Sequence, residues 1–201
     1  RALSVVGSRE PCYDSLQWME KELSAFCEEK KPLIVSGGAR GVDQKSHGVA
    51  LRKKHPTVVV LPSGLENMYP GTLLEWVKPV LDSGGCFLSE YAFTQRMHKY
   101  LFHHRNRLIA ALGEATLLVE ARRRSGTLMT ANQAVQMGRP VWVVPGHPHD
   151  VHFSGSLDLL SEGALMVRDA QDLSMYFGVE NILKNADAAG IVSPEPLSHY
   201  P

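Results

Sequence analysis

Four turns in this chain combine glycine with hydroxyl or guanidinium groups, each just after a short apolar run. Val6 leads into Gly7-Ser8-Arg9, and Val35 into Ser36-Gly37-Gly38-Ala39-Arg40-Gly41. Leu61 leads into Pro62-Ser63-Gly64, and Val119-Glu120-Ala121 into Arg122-Arg123-Arg124 and Ser125-Gly126-Thr127. Glycine lets the backbone approach a ligand closely, and the free N–H groups of a following helix attract phosphate oxygens. Hydroxyls such as Ser36, Ser125 and Thr127 add hydrogen bonds. One such turn serves a plain strand-to-helix connection equally well, but four at one edge of a sheet point to a phosphate-bearing ligand.

The densest stretch is Phe102-His103-His104-Arg105-Asn106-Arg107. Arginines two residues apart lie about 200° apart on a helix, so they share a ligand only at its first turn. There Arg105 and Asn106 would reach forward while Arg107 ties down neighbouring backbone or Glu120. Guanidinium forks match phosphate oxygens, which makes Arg9, Arg40 and Arg105 the candidates for direct contact. The competing reading is internal pairing with Asp43, Glu90 or Glu120. Asp43 itself reads as structural, capping or fixing Arg40 and the glycine-rich turn. Phe102, Tyr100 and Tyr91 either stack on bases, at roughly 1–3 kcal/mol each, or pack the loop.

Positioning these groups takes a sheet. Apolar runs at Ala2–Val6, Leu33–Ser36, Thr57–Leu61, Cys86–Ser89, Ala115–Val119, Val141–Val144 and Ala164–Val167 are strand-sized, and several are continuously apolar, as strands covered on both faces must be. Between them fall helix-period segments: Asp14–Lys30 with an N-cap-like Asp14, then Gly41–Lys54, Leu73–Asp82, Arg105–Leu112, Gly126–Met137 and Ser156–Ser161. Strand, helix, strand with short links predicts an α/β, Rossmann-like, doubly wound and mostly parallel sheet with ligands at the carboxyl ends of its strands. Tyr91–His104 has no clean period and reads as an irregular, functional link. Trp18, Trp76 and Trp142 read as core. The domain is expected to span residues 1–177, followed by an acidic, proline-containing tail over 178–201.

The 201 residues are 44% hydrophobic and 21% charged, which excludes disorder and fibrous repeats. No apolar run approaches a membrane span. Without a signal-peptide pattern, and with three cysteines (Cys12, Cys27, Cys86) in no paired spacing, a cytoplasmic setting is expected. The start at Arg1, inside an apolar run, is that expected of a fragment. The formal net charge of zero hides segregation. Residues 96–124 carry seven Arg or Lys against two acids, and residues 148–201 carry two against eight, a pattern expected of an anionic partner at one face. No G-x-x-x-x-G-K-[ST] occurs, and Gly37-Gly38-Ala39-Arg40-Gly41 is not G-x-G-x-x-G, which argues against a Walker loop and a dinucleotide dehydrogenase. The histidines at 98, 103, 104, 147, 149 and 152 complete no ligand geometry, so neither metal nor cofactor is expected.

Val35-Ser36-Gly37-Gly38-Ala39-Arg40-Gly41-Val42-Asp43, with His47 after it, resembles the S-G-x-A-x-G-[IV]-D core of the DNA-processing protein A (DprA/Smf) family. Phe102-His103-His104-Arg105-Asn106-Arg107 resembles its F-x-x-R-N-R signature. Gly7-Ser8-Arg9, Gly64-Leu65 with Tyr69-Pro70, Ser89-Glu90-Tyr91, Glu120-Ala121, Ser125-Gly126-Thr127 and Pro145-Gly146 complete the likeness, over about residues 2–168 in order. The resemblance implies a non-enzymatic role: binding single-stranded DNA, protecting it and loading it onto the RecA recombinase in natural transformation, as a homodimer built on an extended Rossmann-like domain. It also implies that Gly7, Ser8, Arg9, Ser36, Gly37, Gly38, Arg40, Phe102, Arg105, Asn106, Ser125, Gly126 and Thr127 form the DNA site, with no catalytic residue. Members often add a helical domain before this core and a winged helix after it; neither is legible here. His103 replaces the usual proline of the signature, and Ser156 or Leu157 stands where asparagine is expected. The rival readings are a nucleotide-binding sensor and a nucleoside-monophosphate phosphoribohydrolase. In the second, Thr130 occupies the catalytic glutamate position of P-G-G-x-G-T-x-x-E, and Glu120 precedes the loop.

Overall fold

The computed structural model describes residues 1–177; the tail expected over 178–201 lies outside the described residues. Seven strands form one sheet: β1 (Ala2–Val6), β2 (Leu33–Ser36), β3 (Thr57–Val60), β4 (Cys86–Leu88), β5 (Ala115–Leu118), β6 (Val141–Val143) and β7 (Leu165–Met166). Their order is β4-β3-β2-β1-β5-β6-β7, and every pair is parallel. Each expected run is present, several one residue shorter at the carboxyl end. Those trailing residues still donate one bond to the neighbouring strand: Leu61 to Leu88 (2.8 Å), Val119 to Val6 (3.1 Å) and Val144 to Leu118 (3.0 Å).

Helices cover both faces. On one, α1 (Tyr13–Trp18), a π-helical turn (Met19–Leu23), α2 (Ser24–Lys30) and α3 (Val42–Arg52) pack Met19, Leu23, Phe26 and Val49 against Leu3, Val5, Leu117 and Trp142. Residues 170–177, also helical, add Leu173 and Phe177 to that layer. On the other face lie α5 (Lys99–Leu112), α6 (Gly126–Gln136) and α7 (Ser154–Ser161), burying Ile109, Ala131, Ala134 and Leu159 against Val35, Leu118 and Val143. A smaller cluster seats Leu73 and Val80 on Val59 and Leu61. No helix among the described residues is long and apolar enough to cross a membrane, and Cys12, Cys27 and Cys86 are free thiols.

Four expectations change. The cap of the first helix is Cys12, with Asp14 inside the first turn, where its charge favours the helix's positive end. The segment expected as one helix over Leu73–Asp82 divides into a 3-10 turn (Gly71–Trp76) and α4 (Val77–Asp82), whose Pro79 falls in the first turn, where no amide donor is required. Trp18 and Trp76 are only partly buried, and Trp18 turns its Nε1 out to the Arg168 carbonyl at 2.7 Å; Trp142 is fully buried. The fourth concerns the site. The irregular link ends at His98, because α5 starts at Lys99 rather than Arg105. Its buried stripe is Leu101, Arg105, Ile109, a regular i, i+4, i+8 series in which an arginine occupies a core position.

Candidate functional site

Strand order reverses direction at β1: β2, β3 and β4 build out one way and β5, β6 and β7 the other. The carboxyl ends of β1 and β5 are therefore the switch point where such sheets open a crevice. A cleft of about 590 Å³ lies there, between the Gly7–Arg9 turn, α5 and the start of α6.

The turn after β1 is pressed onto α3. A Cβ on Gly7 would stand 2.5 Å from Val42 Cγ2, and one on Gly41 (φ +81°) 2.3 Å from the Ser8 carbonyl. This contact lets the Val42 amide donate to Ser8 O at 3.1 Å and holds Ser8 and Arg9 at the cleft wall. Arg9 is exposed, its guanidinium 5.2 Å over the Phe102 ring, and it makes no ion pair among the described residues.

Arg105 behaves differently. It is 3% exposed, and its Nη1 donates to the carbonyls of Gly37 (2.6 Å) and Val60. A Cβ on Gly37 would lie 2.0 Å from that nitrogen, so glycine is required for the arginine to reach the sheet. Burial lowers the Arg105 pKa to about 10, opposed by the nearby Asp43 carboxylate, so it stays charged at neutral pH. Burial raises the Asp43 pKa, Arg105 pulls it down, and Asp43 accepts the Ala39 amide at 3.3 Å. Asp43 thus secures the glycine-rich turn and answers Arg105, not Arg40. His47, behind them, pairs through Nδ1 with Thr57 Oγ1 (2.7 Å), and that hydroxyl is donated to Ile34 O (2.8 Å), so Nδ1 carries the proton. Burial, then the charge of Arg105, pushes the His47 pKa down to about 3.

At the third side, Ser125 is the N-cap of α6 with extended backbone, but its Oγ makes no cap bond and is buried without a partner. Thr127 donates to Gly7 O at 3.0 Å, closing the wall between β1 and α6, and the space beside Gly126 is open. A helix start with spare amides beside an unpartnered hydroxyl is suited to an anion.

The cleft therefore gathers Gly7, Ser8, Arg9, Phe102, Arg105, Asn106, Ser125, Gly126 and Thr127. Ser36, Gly37, Gly38 and Arg40 are not on its lining. Ser36, Gly37 and Gly38 are buried beneath the floor, with the Ser36 hydroxyl committed to Val5 O at 2.6 Å, and Arg40 is exposed elsewhere. Arg107 lies on the outer face of α5 and pairs with Glu90, not Glu120. Glu120 is fully buried, accepting the Cys12 amide (2.8 Å) and the Ser15 hydroxyl (2.7 Å). Ser156 receives the Ala121 amide at 3.0 Å and so holds the loop after β5. His103 sits inside α5, its carbonyl accepting Gln133 Nε2 at 3.4 Å. Tyr69 and Lys99, outside the expected site residues, also line the cleft, as does Arg122 of the triple arginine. Lys99 was recoverable from spacing, since 99, 102 and 106 share one helical face.

The fold and cleft define the class: a Rossmann-like α/β domain with a cleft at its switch point lined in part by Arg9, Lys99 and Arg122. Residues 1–178 match the family described as DNA recombination-mediator protein A, and the chain belongs to that family. It is 32% identical to the DNA processing protein DprA of Bacillus subtilis over 86% of this chain and 58% of that one. It is similar in structure to DprA from Streptococcus pneumoniae (TM-score 0.76, 34% identity, covering 86% of this chain and 60% of that one). It also resembles DNA processing protein A from Helicobacter pylori, solved for its single-stranded DNA binding mode (TM-score 0.77, 28% identity, 92% and 80% covered). The chain spans about half the length of the curated relatives it matches, 45% to 61% of them.

Proposed function

We propose that the cleft binds single-stranded DNA, holding the sugar-phosphate chain against Arg9, Arg122 and the start of α6. The observation that carries this reading is the unpaired Arg9 guanidinium in the same cleft as the unpartnered Ser125 hydroxyl. Aromatic side chains at the cleft, Phe102 and Tyr69, favour a strand whose bases are unpaired. Likeness to the family extends the proposal: a cytoplasmic homodimer that shields incoming strands and delivers them to the RecA recombinase, acting as a binding protein and not as an enzyme. Of the site residues expected from sequence, Ser36, Gly37, Gly38 and Arg105 then act by building the floor.

The test is fluorescence anisotropy with labelled oligo-dT and a matching duplex across a salt series. About four phosphate contacts give a log–log salt slope of roughly −2.8 for a single strand, and Arg9→Ala should flatten it by about 0.7. Absence of binding at low salt by the native chain would overturn the reading, and mononucleotide binding in its place would favour a nucleotide sensor.

A further inference from the structure

Beyond its cleft face, α5 offers a second, unassigned surface. From Tyr91 to Gly113 there is no acidic residue. Of the four cations in that stretch, Arg105 is buried and Arg107 is paired with Glu90, leaving Arg96 and Lys99 exposed. Next to Lys99 in the chain, at the start of α5, Tyr100 is 59% exposed. Its ring lies parallel to the His98 imidazole (5.8 Å, 14°) and meets the edge of His104 (6.3 Å, 89°). Two neighbours thus hold an aromatic ring in place while most of it faces water.

Of the other aromatics expected to stack, Phe102 belongs to the cleft itself and Tyr91 is partly buried. Phe102 has the guanidiniums of Arg9 and Arg105 over its ring at 5.2 and 5.7 Å and the Tyr69 edge at 5.9 Å. Tyr91 spends its hydroxyl on Leu101 O. Tyr100 follows directly on Lys99, which lines the cleft. A strand leaving the cleft over this part of α5 meets a pre-oriented ring next to Lys99, with exposed Arg96 on the segment leading into the helix, and aromatic and cationic groups together bind single strands without reading their sequence.

We propose that Tyr100, backed by His98 and His104, is a stacking platform for a nucleobase adjoining the segment held in the cleft, with Arg96 and Lys99 flanking the phosphates. The proposal rests on the single-strand reading. The ligand class is any nucleobase, since the ring contacts a π-face and no hydrogen-bonding edge.

The test compares the native chain with Tyr100→Ala and Tyr100→Phe on an oligo-dT of about 15 nucleotides and on the same backbone carrying abasic sites. Tyr100→Ala should weaken oligo-dT binding roughly fivefold or more. Tyr100→Phe should bind like the native chain, and all three should bind the abasic strand alike. The salt slope should not move, because no phosphate contact is removed. Native-like oligo-dT binding by Tyr100→Ala would overturn the platform and leave the cleft reading standing on Arg9→Ala; so would equal losses on both strands, which point to a disturbed cleft. Binding lost in Tyr100→Ala and in Tyr100→Phe alike would refute stacking. If the native chain binds no strand, the underlying reading fails first.

Discussion

Arg105→Ala is the perturbation that best separates floor from wall. Arg105 is 3% exposed, faces the buried Asp43 and satisfies two carbonyls, those of Gly37 and Val60. Deleting it leaves Asp43 without its compensating charge and two buried acceptors without donors. Removing one partner of a buried charge pair costs about 3–5 kcal/mol. For a chain of this size that lowers the melting temperature by roughly 6–20 °C. Gly37→Ala should reproduce part of the loss from the opposite side, because its Cβ would lie 2.0 Å from Arg105 Nη1. Arg9→Ala, at an exposed side chain, should melt within about 2 °C of the native chain while losing DNA affinity. Calorimetry and anisotropy on the same samples decide the matter. If Arg105→Ala melts like the native chain yet fails to bind, Arg105 is a direct phosphate ligand and the reasoning from burial is wrong.

Two further predictions follow from the same cluster and its neighbour. His47 has an ordinary value of 6.5 lowered to about 3 in the fold, so the unfolded chain takes up the proton first and stability is lost as pH falls below 6.5. Between pH 6.5 and 5 that costs about 2 kcal/mol, and urea titrations should show a shallower pH slope in His47→Gln; an unchanged slope would rule out His47 as its source. Ser125→Ala removes a hydroxyl that bonds nothing in the protein, so it should leave stability unchanged while weakening binding of single-stranded DNA severalfold, by about one hydrogen bond. A loss of stability would show that the hydroxyl has a partner within the fold.

The sheet was legible because buried parallel strands must be largely apolar on both sides, and the runs that form the central strands obey that requirement, whereas the edge strands β4 and β7 are partly exposed. The start of α5 was not, because its buried stripe passes through an arginine, and a charge at a core position hides a helical period. The same residue explains the misplaced part of the site. Glycine at position 37 declares that something approaches the backbone closely; sequence alone does not say whether the visitor is a phosphate or, as here, a guanidinium from another segment. Arg9, Ser125 and Thr127 were legible because each lies in, or opens the helix after, the connection that leaves a strand's carboxyl end, where the fold class already places ligands.

Arg105 also fixes when the cleft comes into being. Its carbonyl partners lie 68 and 45 residues earlier in the chain, so the floor closes only when β2, β3 and α5 have all docked. Contacts of such separation bring no gain until the intervening loops are closed. A nascent or partly opened chain therefore lacks the finished floor, and the cleft arrives together with the completed tertiary structure.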